Sequence, residues 1–120
     1  MRKALKGKNP KILAVVHAET STGVCQPLED LAGIARNSGA LFLVDTVTSL
    51  GGIEVAVDRL GIDAVYSGTQ KCISCPPGLA PLSFSEKAVA ALENRQTKVP
   101  NWYLDLSMIM KYWKGATRAY

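Results

Sequence analysis

The 120-residue sequence has no apolar run of about eighteen residues or more, so it offers no membrane-crossing helix. Basic residues near the start are not followed by an apolar stretch of signal-peptide length, and no secretory leader is expected. Cysteine is scarce and odd in number: Cys25, Cys72 and Cys75 speak against a disulfide framework and for reduced thiols in a cytosol-like compartment. There is no G-x-G-x-x-G, no Walker loop and no serine-nucleophile elbow. Internal repeats, low-complexity tracts and a clear linker are also missing, which leaves one domain as the natural count.

What is present is ordinary for a globular chain, with 48% hydrophobic and 20% charged residues. A chain of this length buries roughly two thirds of its unfolded surface if it folds alone. The formal charge of +4 comes from Arg2, Lys3, Lys6, Lys8 and Lys11, and the remainder is near neutral. Such a cluster reads either as a nucleic-acid or membrane patch or as the solvated end of a helix, where cations suit the dipole. No aromatic residue interleaves with these lysines and no recognition motif follows, so neither nucleic acid nor membrane is expected as a partner.

Residues 11–17 form a continuous apolar run rich in Val and Ile, the pattern of a strand covered on both faces. Residues 19–23 are small and polar and read as a loop at its carboxyl end. Pro27 is placed to open a helix whose stripe is Leu28, Leu31, Ala32 and Ala35, with Gly39 as its cap. Residues 41–44 form a second buried strand ended by Asp45, and a loop over 46–52 follows. Residues 58–61 read as a turn-like link, 62–66 as a third strand, 67–78 as a long loop and 79–84 as a fourth strand. Ser85 is placed to cap a helix over 86–94, and 103–113 has the pattern of another. Strand, helix, strand, link, strand predicts a mostly parallel α/β sheet, in which ligands bind beyond the carboxyl ends of the strands.

Two residues at those ends carry chemistry. Lys71 follows the strand over 62–66, and Asp45 ends the strand over 41–44. A lysine amine and a carboxylate in such positions are the pair that pyridoxal phosphate requires, one to bind the aldehyde and one to pair with the ring nitrogen. Lys71 also reads as a surface loop lysine and Asp45 as a turn cap, and residue types alone leave both open. A lysine partly desolvated there would become a usable nucleophile. Thr20, Ser21 and Thr22 offer hydroxyls to a cofactor, or simply cap the local turn. His17-Ala18-Glu19 with Cys72-Ile73-Ser74-Cys75 echoes a zinc deaminase signature. The residue before Cys72 is Lys71 rather than proline, His17 ends a strand, and the two halves lie far apart, so zinc is set aside.

The joint motifs His17-Ala-Glu-Thr-Ser-Thr-Gly-Val24, Leu43-Val-Asp-Thr-Val-Thr-Ser-Leu-Gly-Gly52 and Tyr66-Ser-Gly-Thr-Gln-Lys71 with Pro76-Pro-Gly78 and Tyr103-Leu-Asp-Leu106 resemble the alanine–glyoxylate and serine–glyoxylate aminotransferases. These are class V members of the fold type I pyridoxal-phosphate enzymes, and the resemblance covers nearly the whole chain. It implies pyridoxal 5′-phosphate as cofactor and Lys71 as the Schiff-base lysine and proton shuttle. Asp45 would face the ring nitrogen, Val47 one ring face, and Gln70 the phosphate, with Thr20 as a hydroxyl contact. Tyr120 would reach the phosphate of the neighbouring subunit's cofactor, which implies a homodimer. The substrates implied are amino acids and 2-oxoacids, with amino transfer from alanine or serine to glyoxylate by a ping-pong mechanism.

Departures from the family pattern are Ala18 for the usual glycine, and Cys72-Ile73 for the usual alanine-leucine. Neither removes a chemical group. Family members are about three times longer, so residues 1–120 are expected to be part of the large cofactor-binding domain. The phosphate-loop segment, the substrate-binding arginine and the C-terminal small domain are not found in the sequence. The alternatives are another class V reaction (phosphonate or ureidoglycine transamination, or desulfuration), a non-catalytic fragment, or a binding module that keeps the fold without the chemistry.

Overall fold

A short helix, α1 (Arg2–Leu5), precedes the first strand, β1 (Ile12–Val16); the computed structural model describes residues 2–5 and 7–113. After a two-stranded hairpin, β2 (Ala18–Glu19) and β3 (Val24–Cys25), comes the helix α2 (Glu29–Ser38). The chain then returns through β4 (Leu41–Asp45), which runs parallel to β1 with Ile12 opposite Leu41 and Val16 opposite Asp45. A one-turn helix, α3 (Val57–Leu60), leads to β5 (Ala64–Tyr66), parallel to β4 with Asp45 opposite Tyr66. The strand β6 (Leu82–Phe84) adds antiparallel to β5, giving the order β1-β4-β5-β6. The helix α4 (Glu86–Glu93), a 3-10 turn (Trp102–Leu104) and α5 (Leu106–Trp113) follow as the last described elements. This is the expected α/β arrangement, a mostly parallel sheet with flanking helices. No helix among the described residues is long and apolar enough to cross a membrane.

The core lies on one face of the sheet. Leu13, Phe42, Val44 and Val65 alternate onto that face and meet Leu28, Leu31, Ala32 and Ala35, the stripe read from the sequence. Phe42 and Val44 are essentially inaccessible, and each such side chain contributes about 1.5–3 kcal/mol by burial. Gly39 ends α2 at φ 70°, its N–H donating to the Arg36 carbonyl, a left-handed conformation that glycine adopts without cost. Ser85 caps α4, its hydroxyl accepting from the Ala88 N–H at 3.1 Å.

The structure differs from the sequence expectation in several places, among them the third strand, which spans only Ala64–Tyr66, and the helix expected over 103–113, which is a 3-10 turn at Trp102–Leu104 followed by α5. β1 is an edge strand covered on one face only, with Ile12 and Val16 55% and 39% exposed, so the apolar run does not report two covered faces. The loop over 19–23 is the turn of the β2–β3 hairpin, closed by the Gly23 N–H donating to the Glu19 carbonyl at 2.9 Å. Helix α2 begins at Glu29 rather than Pro27, with Leu28 at its N-cap. The link over 58–61 contains the helical turn α3, capped by Gly61 at φ 64°. The fourth strand pairs only over Leu82–Phe84, because 79–81 bond outward to the preceding loop through the Leu79 and Pro81 carbonyls.

Candidate active site

Three loops leave the sheet at the carboxyl ends of β1, β4 and β5. Two side-chain contacts tie them together. The Thr48 hydroxyl donates to the Ala18 carbonyl, joining the loop after β4 to the hairpin after β1. The Cys72 thiol donates to the Thr48 carbonyl at 3.4 Å, joining the loop after β5 to the same segment. Room for that thiol is made by Gly52, where an added Cβ would lie 2.9 Å from the Cys72 sulfur. Below them, the buried His17 Nδ1 and Ser49 Oγ are hydrogen-bonded at 3.0 Å, so the ring that ends β1 braces the loop after β4.

Asp45 is held by two donors at these ends. Its Oδ1 accepts from the Val47 N–H at 2.8 Å and its Oδ2 accepts from the Tyr66 hydroxyl at 2.6 Å. Because Asp45 and Tyr66 are register partners, their side chains leave the sheet side by side on one face. The strand ends beneath them are locked: the Thr46 N–H and hydroxyl both donate to the Tyr66 carbonyl, at 2.9 and 2.8 Å. The Ser67 hydroxyl donates in turn to the Thr46 carbonyl at 3.1 Å. Thr46 and Ser67 are buried, so these bonds are shielded from water. The bond to Asp45 raises the Tyr66 phenol above its ordinary pKa, with partial burial and the carboxylate charge adding to the shift, so the phenol stays a donor.

Lys71 lies in the turn after β5, where the Ser74 N–H donates to its carbonyl at 2.9 Å. Its side chain is exposed and makes no hydrogen bond or ion pair among the described residues. The partly desolvated position expected for it is therefore not what the described residues provide, because none of them covers this turn. The turn itself is held by the Thr69 hydroxyl donating to the Pro76 carbonyl at 2.7 Å and the Cys75 N–H donating to the Thr69 carbonyl at 2.9 Å.

Gln70 is exposed and its amide folds back over Gly68, where an added Cβ would meet Oε1 at 2.9 Å. Val47 is half-buried beside Asp45. Thr20 is exposed at the hairpin tip, next to Ser21, whose N–H and hydroxyl both donate to Glu19 Oε1. These contacts hold the Glu19 carboxyl below its usual range, chiefly the Ser21 hydroxyl. Neither Thr20 nor Lys71 hydrogen-bonds to Asp45. Tyr120 lies outside the described residues. Among the described residues no cluster of three metal-ligating side chains occurs, and His17 and the Cys72–Cys75 pair are engaged separately.

Sequence reading passed over Tyr66, Thr48 and Ser49. Tyr66 carried a signal, since it closes the strand next to the one ended by Asp45. Nothing in the sequence marks the partners of Thr48 and Ser49, which are set by the loop conformation.

Pyridoxal phosphate fits the donor set present. Its aldehyde needs an accessible lysine side chain, and the exposed Lys71 offers one. Its ring nitrogen needs an anion, and each Asp45 oxygen accepts one bond and keeps capacity for another.

The profile of the family described as aminotransferase class-V matches residues 1–99. Alanine–glyoxylate aminotransferase of Rattus norvegicus is 39% identical over 120 residues, spanning 98% of this chain and 29% of the relative. The (S)-ureidoglycine–glyoxylate transaminase of Bacillus subtilis (strain 168) is 40% identical over 128 residues, spanning 91% of this chain and 30% of the relative. A crystal structure of alanine–glyoxylate aminotransferase from Nostoc sp. superposes with a TM-score of 0.91 at 48% identity, over 99% of this chain and 32% of the other. The chain thus spans about a third of the length of the proteins it matches.

Proposed function

This chain belongs to the class-V aminotransferase family, which generally uses pyridoxal phosphate, and from that premise we propose that its residues are part of the cofactor-binding domain of a longer aminotransferase. The reaction proposed is transfer of an amino group from alanine or serine to glyoxylate or a similar 2-oxoacid, in two half-reactions of a ping-pong cycle. The observation that supports this reading is that Asp45 ends β4 and Lys71 lies in the loop after its parallel neighbour β5, with the two loops joined through Thr48 and Cys72.

Pyridoxal phosphate, when bound, supplies the electron sink that lets an amino acid lose its α-proton. Lys71 is the residue that would hold the cofactor through its amine, and the same amine would take the proton from the donor's α-carbon and return one to complete the transfer. Asp45 would face the protonated ring nitrogen, Val47 would lie against one ring face, and Thr20 would offer a hydroxyl contact. Gln70, which folds over Gly68 in the turn before Lys71, is assigned to the phosphate. Tyr120 of one subunit is assigned to the phosphate site of the other, so the parent is a homodimer.

The matches to both alanine–glyoxylate and ureidoglycine–glyoxylate enzymes favour glyoxylate as acceptor and leave the donor as the variable. The test is the full-length parent carrying Lys71→Ala, assayed with alanine, serine and ureidoglycine against glyoxylate and pyruvate. Loss of transamination by about 10³-fold or more supports the assignment. Wild-type rates in the variant would remove Lys71 from the chemistry, and the preferred donor decides between the reactions.

A further inference from the structure

We propose that Tyr66 is a positioning residue for the cofactor's ring nitrogen: its hydroxyl, together with the Val47 N–H, fixes the rotation of the Asp45 carboxylate that would face that nitrogen and its proton. The inference rests on the assignment of Asp45 to that nitrogen. Three observations carry it. The Tyr66 hydroxyl is 2.6 Å from Asp45 Oδ2, a short bond of the kind a neutral donor makes to an ionised acceptor. The second oxygen is held by the Val47 N–H at 2.8 Å, so the two donors together set the rotation of the carboxylate. The Tyr66 backbone is anchored, since its carbonyl takes both the Thr46 N–H and the Thr46 hydroxyl beneath it.

The chemistry follows from geometry. A carboxylate held against a pyridine nitrogen favours the protonated, charged form of the ring. Without the phenol, Asp45 would be free to pivot about its bond to Val47, and the proton on nitrogen would lose its anionic partner. The raised phenol pKa means that Tyr66 remains protonated, and so remains a donor, through neutral pH. Its ring also fills space beside Asp45, but packing alone would not change where that proton sits.

The experiment compares full-length wild-type parent, Tyr66→Phe and Asp45→Asn, each loaded with pyridoxal phosphate carrying ¹⁵N at the ring nitrogen. The readouts are the ¹⁵N resonance and the cofactor dissociation constant. Tyr66→Phe is expected to move the resonance toward that of a neutral pyridine and to weaken cofactor binding about tenfold, the scale of one hydrogen bond to a charged group. Asp45→Asn should move both further. If Asp45→Asn moves both and Tyr66→Phe moves neither, Tyr66 is only a packing residue and the inference is overturned. If Asp45→Asn also leaves both unchanged, the assignment of Asp45 has failed and the role of Tyr66 falls with it. Should Tyr66→Phe not fold, 3-fluorotyrosine at position 66 decides: as a stronger donor of nearly the same shape it must move the resonance the opposite way, and an unmoved resonance overturns the inference.

Discussion

Replacing Asp63 with alanine should weaken the sheet where it meets the helix α4. Asp63 is 6% exposed and lies just before β5. Its Oδ2 accepts from the Phe42 N–H at 2.9 Å, and its Oδ1 accepts from the Ser85 hydroxyl at 2.7 Å. Its own N–H donates to the Phe42 carbonyl at 2.8 Å, so the side chain extends the β4–β5 ladder by one rung. Alanine would leave the Phe42 N–H without an acceptor in the core, which costs about 1–3 kcal/mol. The Ser85 hydroxyl would lose an acceptor but keep its capping bond to Ala88, adding about 0.5–1 kcal/mol. Lys87, 3.4 Å from Oδ2, has a half-exposed side chain and keeps the Ala40 carbonyl at 2.8 Å, so the ion pair adds about 0–1 kcal/mol. The total is roughly 1.5–5 kcal/mol. Asparagine can accept at one of the two positions only and should cost about half of that. The assay is hydrogen exchange at the Phe42 amide in the full-length apo parent, alongside far-UV dichroism in urea. A local loss near 3 kcal/mol speeds exchange about 100-fold. The reasoning is refuted if Phe42 exchanges at the wild-type rate, or if Lys87→Ala costs as much as Asp63→Ala, because the exposed ion pair rather than the buried amide bond would then dominate.

Gly52→Ala should destabilise by about 1–2 kcal/mol, because its new Cβ meets the Cys72 sulfur at 2.9 Å and the Cys72 Cβ at 3.3 Å. In a Cys72→Ala background the sulfur clash is gone while the Cβ contact at 3.3 Å remains, so the same change should cost about 1 kcal/mol less. A double-mutant cycle on thermal midpoints measures the difference, and equal effects in both backgrounds would contradict the packing argument. Tyr66 also predicts an alkaline effect: its phenol pKa is raised in the fold, so its contribution is fully present below the ordinary tyrosine value near 10 and is lost as pH rises through the folded value. Tyr66→Phe should flatten that alkaline fall in stability, and an unchanged alkaline limb would mean that another group titrates there.

Much of the scaffold was legible because it rests on local patterning. The stripe of Leu28, Leu31, Ala32 and Ala35, the Gly39 cap and the Ser85 cap each follow from one helix's own spacing, and each is present in the fold. What was not legible depends on partners distant in sequence. The β2–β3 hairpin has two residues per strand, too short for any alternation to appear. The apolarity of β1 reads as two covered faces, yet the described residues cover one, and Ile12 and Val16 remain exposed. At the candidate site Asp45 ends β4 and Lys71 lies in the loop after β5, as read from the sequence, but no described hydrogen bond joins the two side chains. The sequence could not foresee that Tyr66 donates to Asp45, because that bond depends on the parallel register of β4 and β5. Nor could it foresee that Lys71 is uncovered, because exposure is set by what other segments do.

The most direct test of the account is covalent mapping of the cofactor on the full-length parent. The enzyme would be incubated with pyridoxal phosphate, reduced with borohydride, digested and mapped by mass spectrometry. The account predicts a single labelled site at Lys71, with an absorbance band of the lysine-bound cofactor that disappears in Lys71→Ala. Label spread over exposed lysines such as Lys3, Lys8 and Lys98, with no more at Lys71 than at the others, would contradict it.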